Sequence, residues 1–173
     1  AKHRFALGEG LGQITTALTW THMFTQRVIT AAGTVHDYAG THGNCDVTNC
    51  IGSPKDRVSL ATSWEAGAWR LGANINHRGG MSNKLEASDT ECAQQLANGA
   101  DFPAGCKVKA FWTLDLSGAW QLGKQTELFG SIANVLNRVP PSDFLTYGAI
   151  GYNPLDYSGA IGRYFRIGLK HRF

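Results

Sequence analysis

Three things are scarce in this chain of 173 residues: charge, long apolar runs, and any local concentration of one sign of charge. Charged residues make up 17%, against roughly 25% in an ordinary soluble domain. The 16 Lys and Arg set against 13 Asp and Glu leave a net charge of +3. No dense basic run localises that small excess, so nothing points to a nucleic-acid partner. No stretch approaches the ~18 consecutive apolar residues of a membrane-crossing helix. Disorder is excluded by the 43% hydrophobic and 10% aromatic content. Glycine is plentiful instead, at 21 residues. The mean hydropathy of −0.20 does not by itself mean a soluble protein, because a sheet with one lipid-facing side averages to a similar value. The length allows one domain with a sizeable core.

What is present is period two. In 160–173, Phe165, Ile167, Leu169, His171 and Phe173 share one parity, and Tyr164, Arg166, Gly168, Lys170 and Arg172 the other. The same alternation runs through 14–27 (Ile14, Leu18, Trp20, His22 and Phe24 on the apolar parity), 57–65 (Val58, Leu60, Trp64), 69–78 (Trp69, Leu71, Ile75) and 108–122 (Val108, Trp112, Leu114, Leu116, Trp120). Thr, Trp, Ile and Val are frequent in these runs, which predicts strands with one apolar and one polar side. Residues 126–138 are also strand-like. Leu128 and Ile132 fall on the opposite parity from Phe129 and Val135, so a bulge is expected near Asn134 and the strand's facing is left open. Residues 1–7 read as the tail of a strand already under way, with no initiator Met and no signal-peptide pattern before them, and this favours a fragment. Gly8-Glu9-Gly10-Leu11-Gly12 has the glycines of a phosphate loop, but it precedes a Thr-rich strand and lacks the Lys-Ser/Thr tail; it reads as a hairpin turn.

The connections alternate in length. Tight turns fall at 8–12, 66–68 and 122–126, and long loops at 29–55, 79–106 and 139–159. Membrane barrels segregate short turns and long loops to opposite ends in this way. If the tight turns share one rim, Trp64, Trp69, Trp120 and Phe173 stand at that rim, and Phe24, Trp112 and Phe165 stand further up. Trp112 to Trp120 and Phe165 to Phe173 are each eight residues, about 26 Å of strand at ~3.3 Å per residue. Tilted by about 40°, that spans roughly 20 Å, close to the ~25 Å apolar band between aromatic girdles. Facing follows from energetics. A basic group toward lipid costs about 2–4 kcal/mol near the midplane, so Glu65, Arg70, Arg78, Lys109, Asp115, Arg166, Lys170 and Arg172 are expected to face a solvated, partly salt-bridged lumen. The fold class is therefore all-β, an antiparallel up-and-down transmembrane barrel of which six strands and a stub are present. A soluble sandwich, its apolar parity covered by a second sheet, is the competing reading.

Once the strands are laid out, Glu127-Leu-Phe-Gly-Ser-Ile-Ala-Asn134-Val-Leu-Asn137-Arg138, an aromatic Tyr- and Pro-bearing loop, and Gly162-Arg163-Tyr164-Phe165-Arg166-Ile167-Gly168-Leu169-Lys170-His171-Arg172-Phe173 follow one another in order. This resembles the C-terminus of a TonB-dependent outer-membrane receptor, and 56–80 resembles another hairpin of that family. Val135-Leu136 replaces the commoner Leu-Phe. The resemblance implies that residues 1–173 are the C-terminal part of a barrel of about 22 strands, with the plug domain and TonB box absent from the chain. It further implies a Gram-negative outer membrane, import of a scarce solute (ferric siderophore, cobalamin or oligosaccharide), and energy from TonB, ExbB and ExbD acting through the missing plug. Phe173, with Leu169, Ile167 and Phe165, resembles the signal read by the barrel-assembly machinery. Outer-membrane lipid and a small-molecule ligand are the remaining partners, and no cofactor is implied. A passive porin-like or autotransporter barrel and a soluble adhesive β-domain are the alternatives.

The four cysteines, Cys45, Cys50, Cys92 and Cys106, all lie in long loops. An oxidising surface suggests disulfides Cys45–Cys50 and Cys92–Cys106, with pairing between the two loops also open. A zinc site among His36, Asp37, His42, Cys45, Asp46 and Cys50 competes, although the cysteine spacing matches no standard zinc pattern. His22, His77 and His171 fall on the apolar parity and read as interfacial rings. Asp115 lies on the other parity, so no His–Asp dyad forms there and no enzyme is expected. Phe144, Tyr147, Tyr152 and Tyr157 in the last long loop are candidates for stacking on a solute, or for packing the loop on itself.

Overall fold

A computed structural model of the protein describes residues 1–41, 53–89, 92, 106–142, 151–153, 156 and 161–173. The strands in chain order are β1 (Lys2–Ala6), β2 (Gln13–His22), β3 (Arg27–Ile29), β4 (Val35–Asp37), β5 (Asp56–Ala66) and β6 (Trp69–Arg78). They continue as β7 (Met81–Ser82), β8 (Lys107–Val108), β9 (Phe111–Leu122), β10 (Thr126–Ala133) and β11 (Tyr164–His171). Seven of them form one antiparallel sheet in the order β1-β2-β5-β6-β9-β10-β11. Each long strand lies beside the next long strand in the chain, as an up-and-down wall requires. The sheet is open, with β1 and β11 at its edges.

Register keeps like parity opposite like parity across the wall. Trp64 faces Leu71, Leu71 faces Gly118, Gly118 faces Gly130, and Gly130 faces Ile167. One side therefore presents an unbroken apolar surface, and Leu18, Trp20, Trp69, Leu71, Phe165, Ile167 and Leu169 are all exposed on it. No second sheet of comparable size covers it among the described residues: the other two sheets have two strands each. This removes the sandwich reading. The facing of β10 is now fixed. Leu128 and Ile132 lie opposite Trp120 and Leu116 on the apolar side, and Phe129 goes to the polar side, where its ring covers Gly168 so closely that a Cβ there would meet it.

The turns follow from the glycines that make them. Gly67-Ala68 closes the β5–β6 hairpin in two residues. In the β1–β2 turn, Gly12 has φ +80° and its position leaves no room for a Cβ against the backbone of Glu65. The Leu7 N–H donates to the Gly12 carbonyl at 2.9 Å, so the Gly-rich run is a hairpin turn.

Several strand ends differ from the sequence expectation. The first long strand stops at His22 rather than 27, and 108–122 divides, Val108 leaving the wall to pair with Met81. The strand expected over 126–138 ends at Ala133. Asn134 takes a left-handed conformation, φ +49°, so the ladder terminates there instead of passing through a bulge. The Asn134 side chain accepts the Arg138 N–H (2.9 Å) and donates to the Arg138 carbonyl (2.8 Å), and its own N–H donates to Asp115 Oδ1 at 2.7 Å. Asn134→Ala loses the two side-chain hydrogen bonds to Arg138 and leaves, in the left-handed region, a residue without the amide that makes that conformation tolerable for asparagine. It is expected to lower stability by about 2–3 kcal/mol in denaturant unfolding, and Asn134→Gly by about 1 kcal/mol less.

Candidate functional site: the capped polar side of the wall

The long connections build a second layer at one end of the polar side. Beyond His22 the chain forms the β3–β4 hairpin, closed by Gly33 N–H to Thr30 O at 2.9 Å. Asp37 anchors it: its Oδ1 accepts the N–H of Gln26 (3.0 Å) and of Ala39 (3.1 Å), and Arg27 Nε lies 3.8 Å from Oδ2. The two amides hold the Asp37 carboxyl below its ordinary value, and the charges of Arg27 and Lys55 add to the effect.

This loop is tied to the one between β6 and β9. The Ser82 N–H donates to Gly40 O (2.8 Å), and the Ala87 N–H to Asp37 O (2.8 Å). Thr41 bridges Ser82, and His36 Nδ1 lies 2.5 Å from Glu86 Oε1. Within the second loop Cys92 and Cys106 are disulfide-bonded, Cα–Cα 5.2 Å, and the Asn83 N–H donates to Cys106 O. Tyr38, Ala39, Met81, Val108 and Phe111 are buried where the layers meet.

The last long loop is fastened at Arg78. Sequence parity puts this guanidinium among solvated lumen charges; in the fold it is fully buried. Its Nε and Nη2 both donate to the Asp156 carboxylate, Nη2–Oδ2 being 2.9 Å, and its Nη1 donates to Gly79 O at 2.8 Å. Both side chains are 1% exposed or less. The physical reason is the cap itself, which excludes the water that would otherwise solvate the charge, so a paired carboxylate has to replace it.

Beneath the cap the polar side is a wall of amides and hydroxyls. Ser59 Oγ donates to Asn74 Oδ1 (3.2 Å), Asn74 Nδ2 to Asn76 Oδ1 (3.1 Å), and Asn76 Nδ2 to Asp115 Oδ2 (3.2 Å). Asp115 therefore bridges β6 and the end of β10. A trough of about 520 Å³ runs over this side, bordered by Thr15, Ala61, Ser63, Asn74 and Ser131. Lower down, Arg70 pairs with Glu127 at 2.9 Å. Such a surface offers donors and acceptors with little net charge.

Of the site residues singled out from sequence, Phe165, Ile167, Leu169 and Phe173 are exposed. Phe165, Ile167 and Leu169 pair with Ile132, Gly130 and Leu128 on the apolar side. Tyr152 is half-buried. Phe144, Tyr147, Tyr157, Cys45, Cys50, His42 and Asp46 lie outside the described residues, so neither the Cys45–Cys50 pairing nor the full zinc set is in view. His36 and Asp37 are engaged in the cap as above. One pairing escapes the sequence. Alternation read over 57–65 stops one residue short of Asp56, yet Asp56 Oδ1 lies 2.7 Å from His22 Nδ1 and accepts the Trp20 indole N–H at 2.9 Å. The signal that would find it is the register Asp56 opposite His22.

Two expectations follow. Asp156→Ala strands a buried guanidinium, at a cost of about 3–5 kcal/mol. It should release the last loop to limited proteolysis while the sheet stays folded, and Arg78→Met combined with Asp156→Leu should restore most of the protection. Because the Asp37 pKa is depressed in the fold, its contribution is present above the ordinary carboxylate value of ~3.9 and is lost as pH falls through the lower, folded value. Hydrogen exchange at Gln26 and Ala39 should accelerate only in that acid range, and Asp37→Asn should produce the acceleration at neutral pH.

No family model and no curated protein matches the chain. Solved structures do. A double mutant of the ferric enterobactin receptor PfeA from Pseudomonas aeruginosa aligns over 99% of this chain and 21% of its own, with 15% identity and a TM-score of 0.51. A PfeA mutant in complex with enterobactin gives the same score and identity. The ferric-catecholate import receptor Fiu of E. coli K12 aligns over 98% of this chain and 26% of its own, at 12% identity and a TM-score of 0.48. These are TonB-dependent receptors, and this chain spans about a fifth of the length of PfeA. The chain thus carries the barrel-wall fold seen in PfeA, a TonB-dependent receptor, over about a fifth of that protein's length.

Proposed function

We propose that residues 1–173 are the C-terminal stretch of a receptor barrel in the outer membrane of a Gram-negative bacterium. The intact protein imports a scarce solute, with energy delivered by TonB, ExbB and ExbD through a plug domain that lies outside this chain. The observation that carries the reading is an inverted burial pattern. Large apolar side chains stand exposed over one side of a continuous sheet, while a guanidinium is buried on the other. In water an apolar surface of this extent would drive association; against lipid it is at rest. The open sheet supplies wall rather than a closed pore, since single-chain bacterial barrels have eight or more strands.

On this reading the polar side lines the lumen, and the disulfide-bearing cap is extracellular. Phe173, with Phe165, Ile167 and Leu169, presents the assembly signal. A ferric siderophore is the first candidate among the solutes, ahead of cobalamin or oligosaccharide, because the similar fold is that of a ferric enterobactin receptor. Tyr152, with Phe144, Tyr147 and Tyr157, supplies aromatic surface to that ligand. The role is transport, not catalysis.

Leu60 and Ala61 sit at the middle of β5, on opposite sides of the wall. In the intact protein, Leu60→Lys should cost about 2–4 kcal/mol and reduce heat-modifiable, membrane-inserted product, whereas Ala61→Lys should leave both nearly unchanged. Equal effects of the two, or a folded monomer that needs no detergent, would overturn the membrane reading.

A further inference from the structure

We infer that Arg138 and Arg163 form a binding site for the phosphate of a lipid headgroup, on the outside of the wall at its long-loop rim. The inference rests on the membrane reading above. Each guanidinium lies over an aromatic ring of the apolar side, Arg138 Cζ 4.3 Å from the Trp112 ring centroid and Arg163 Cζ 6.0 Å from that of Phe165. Phe165 pairs with Ile132 near the end of β10, and Trp112 lies on β9 beyond the last β9–β10 pair, Leu116 opposite Ile132, so the two rings flank the long-loop end of β10.

Both arginines are held by the same turn. Asn134 brackets the backbone of Arg138 from both sides, Asn137 Oδ1 accepts the Arg163 N–H at 2.9 Å, and Arg163 Nη1 reaches Val135 O at 3.4 Å. Asn134 and Asn137 are both left-handed, φ +49° and +50°. A built turn thus fixes two cations where the wall meets the headgroup layer.

Neither arginine forms an ion pair with a described carboxylate. Asp56, the carboxylate that β5 places on this side, is taken up by Trp20 and His22. Around the pair, Leu136, Val139 and Ile161 are exposed. Two planar donors, left with unused N–H groups and set in an apolar collar, complement a group that carries phosphate oxygens and acyl chains together. Free phosphate offers nothing to the collar. Guanidinium forks match phosphate geometry, and girdle aromatics mark the depth at which headgroups lie.

The test uses the intact protein, extracted from outer membranes in mild detergent, with phosphate-bearing lipid retained per protein measured by mass spectrometry. Arg138→Gln combined with Arg163→Gln should lower retention about tenfold, while Arg166→Gln, on the polar side of β11, should not lower it. Substituting lysine at both positions should restore only part of it. Retention unchanged in the double variant overturns the site, and displacement by millimolar inorganic phosphate shows a free-anion site instead and overturns it too. Absence of the wild-type protein from the membrane fraction would overturn the membrane reading along with this one, an outcome distinct from normal insertion with unaltered lipid retention.

Discussion

The rest of the structure depends on register. Backbone hydrogen bonds between antiparallel strands are satisfied at any even or odd offset, so they align the strands without choosing the alignment. Side chains choose it. Glu65 opposite Arg70 and Leu60 opposite Ile75 put charge with charge and hydrocarbon with hydrocarbon, and a slip of one residue between β5 and β6 would exchange every pair at once. Tight turns reinforce the choice, because a two-residue connection at Gly67-Ala68 leaves no slack to absorb an offset. The continuous apolar side, the polar trough and the seating of the cap all inherit this one alignment.

The wall was legible in the sequence because its signal is cumulative. Alternation over ten or twelve residues, repeated strand after strand, leaves one parity for hydrocarbon, and the alternation of short and long connections says which ends meet. The cap was not legible, for two physical reasons. The arms of β3 and β4 are three residues each, too short to show a period. And the partners that fasten it are far apart in the chain: Asp156 lies 78 residues from Arg78, and Glu86 lies 50 from His36. Parity could say that Arg78 points away from the apolar side; it could not say that a loop would close over it. At Asn134 the mixed parity correctly marked an interruption, but bulge and strand end look alike until the left-handed asparagine shows the chain leaving the ladder.

The two ends of the polar side are built on different principles. Toward the tight turns it is open, with ion pairs such as Arg70–Glu127 standing in water and contributing little individually. Toward the long loops it is closed, and the fastenings there are a bidentate ion pair out of reach of water, a disulfide, and a carboxylate clasped by backbone amides. Among the described residues, two of the three long loops are joined to one another and the third is fixed to β6, so each is held by more than the ends of its flanking strands.

The indoles of Trp69 and Trp120 are stacked across β6 and β9, centroids 5.0 Å apart and planes within 1°. Two chromophores held this close share their electronic excitation, so the pair has an optical signature that neither indole has alone. Because Trp69 and Trp120 are register partners, the signature belongs to the aligned wall and disappears with any offset between those strands. The protein thus carries its own optical gauge of register, readable without a label while the sheet assembles.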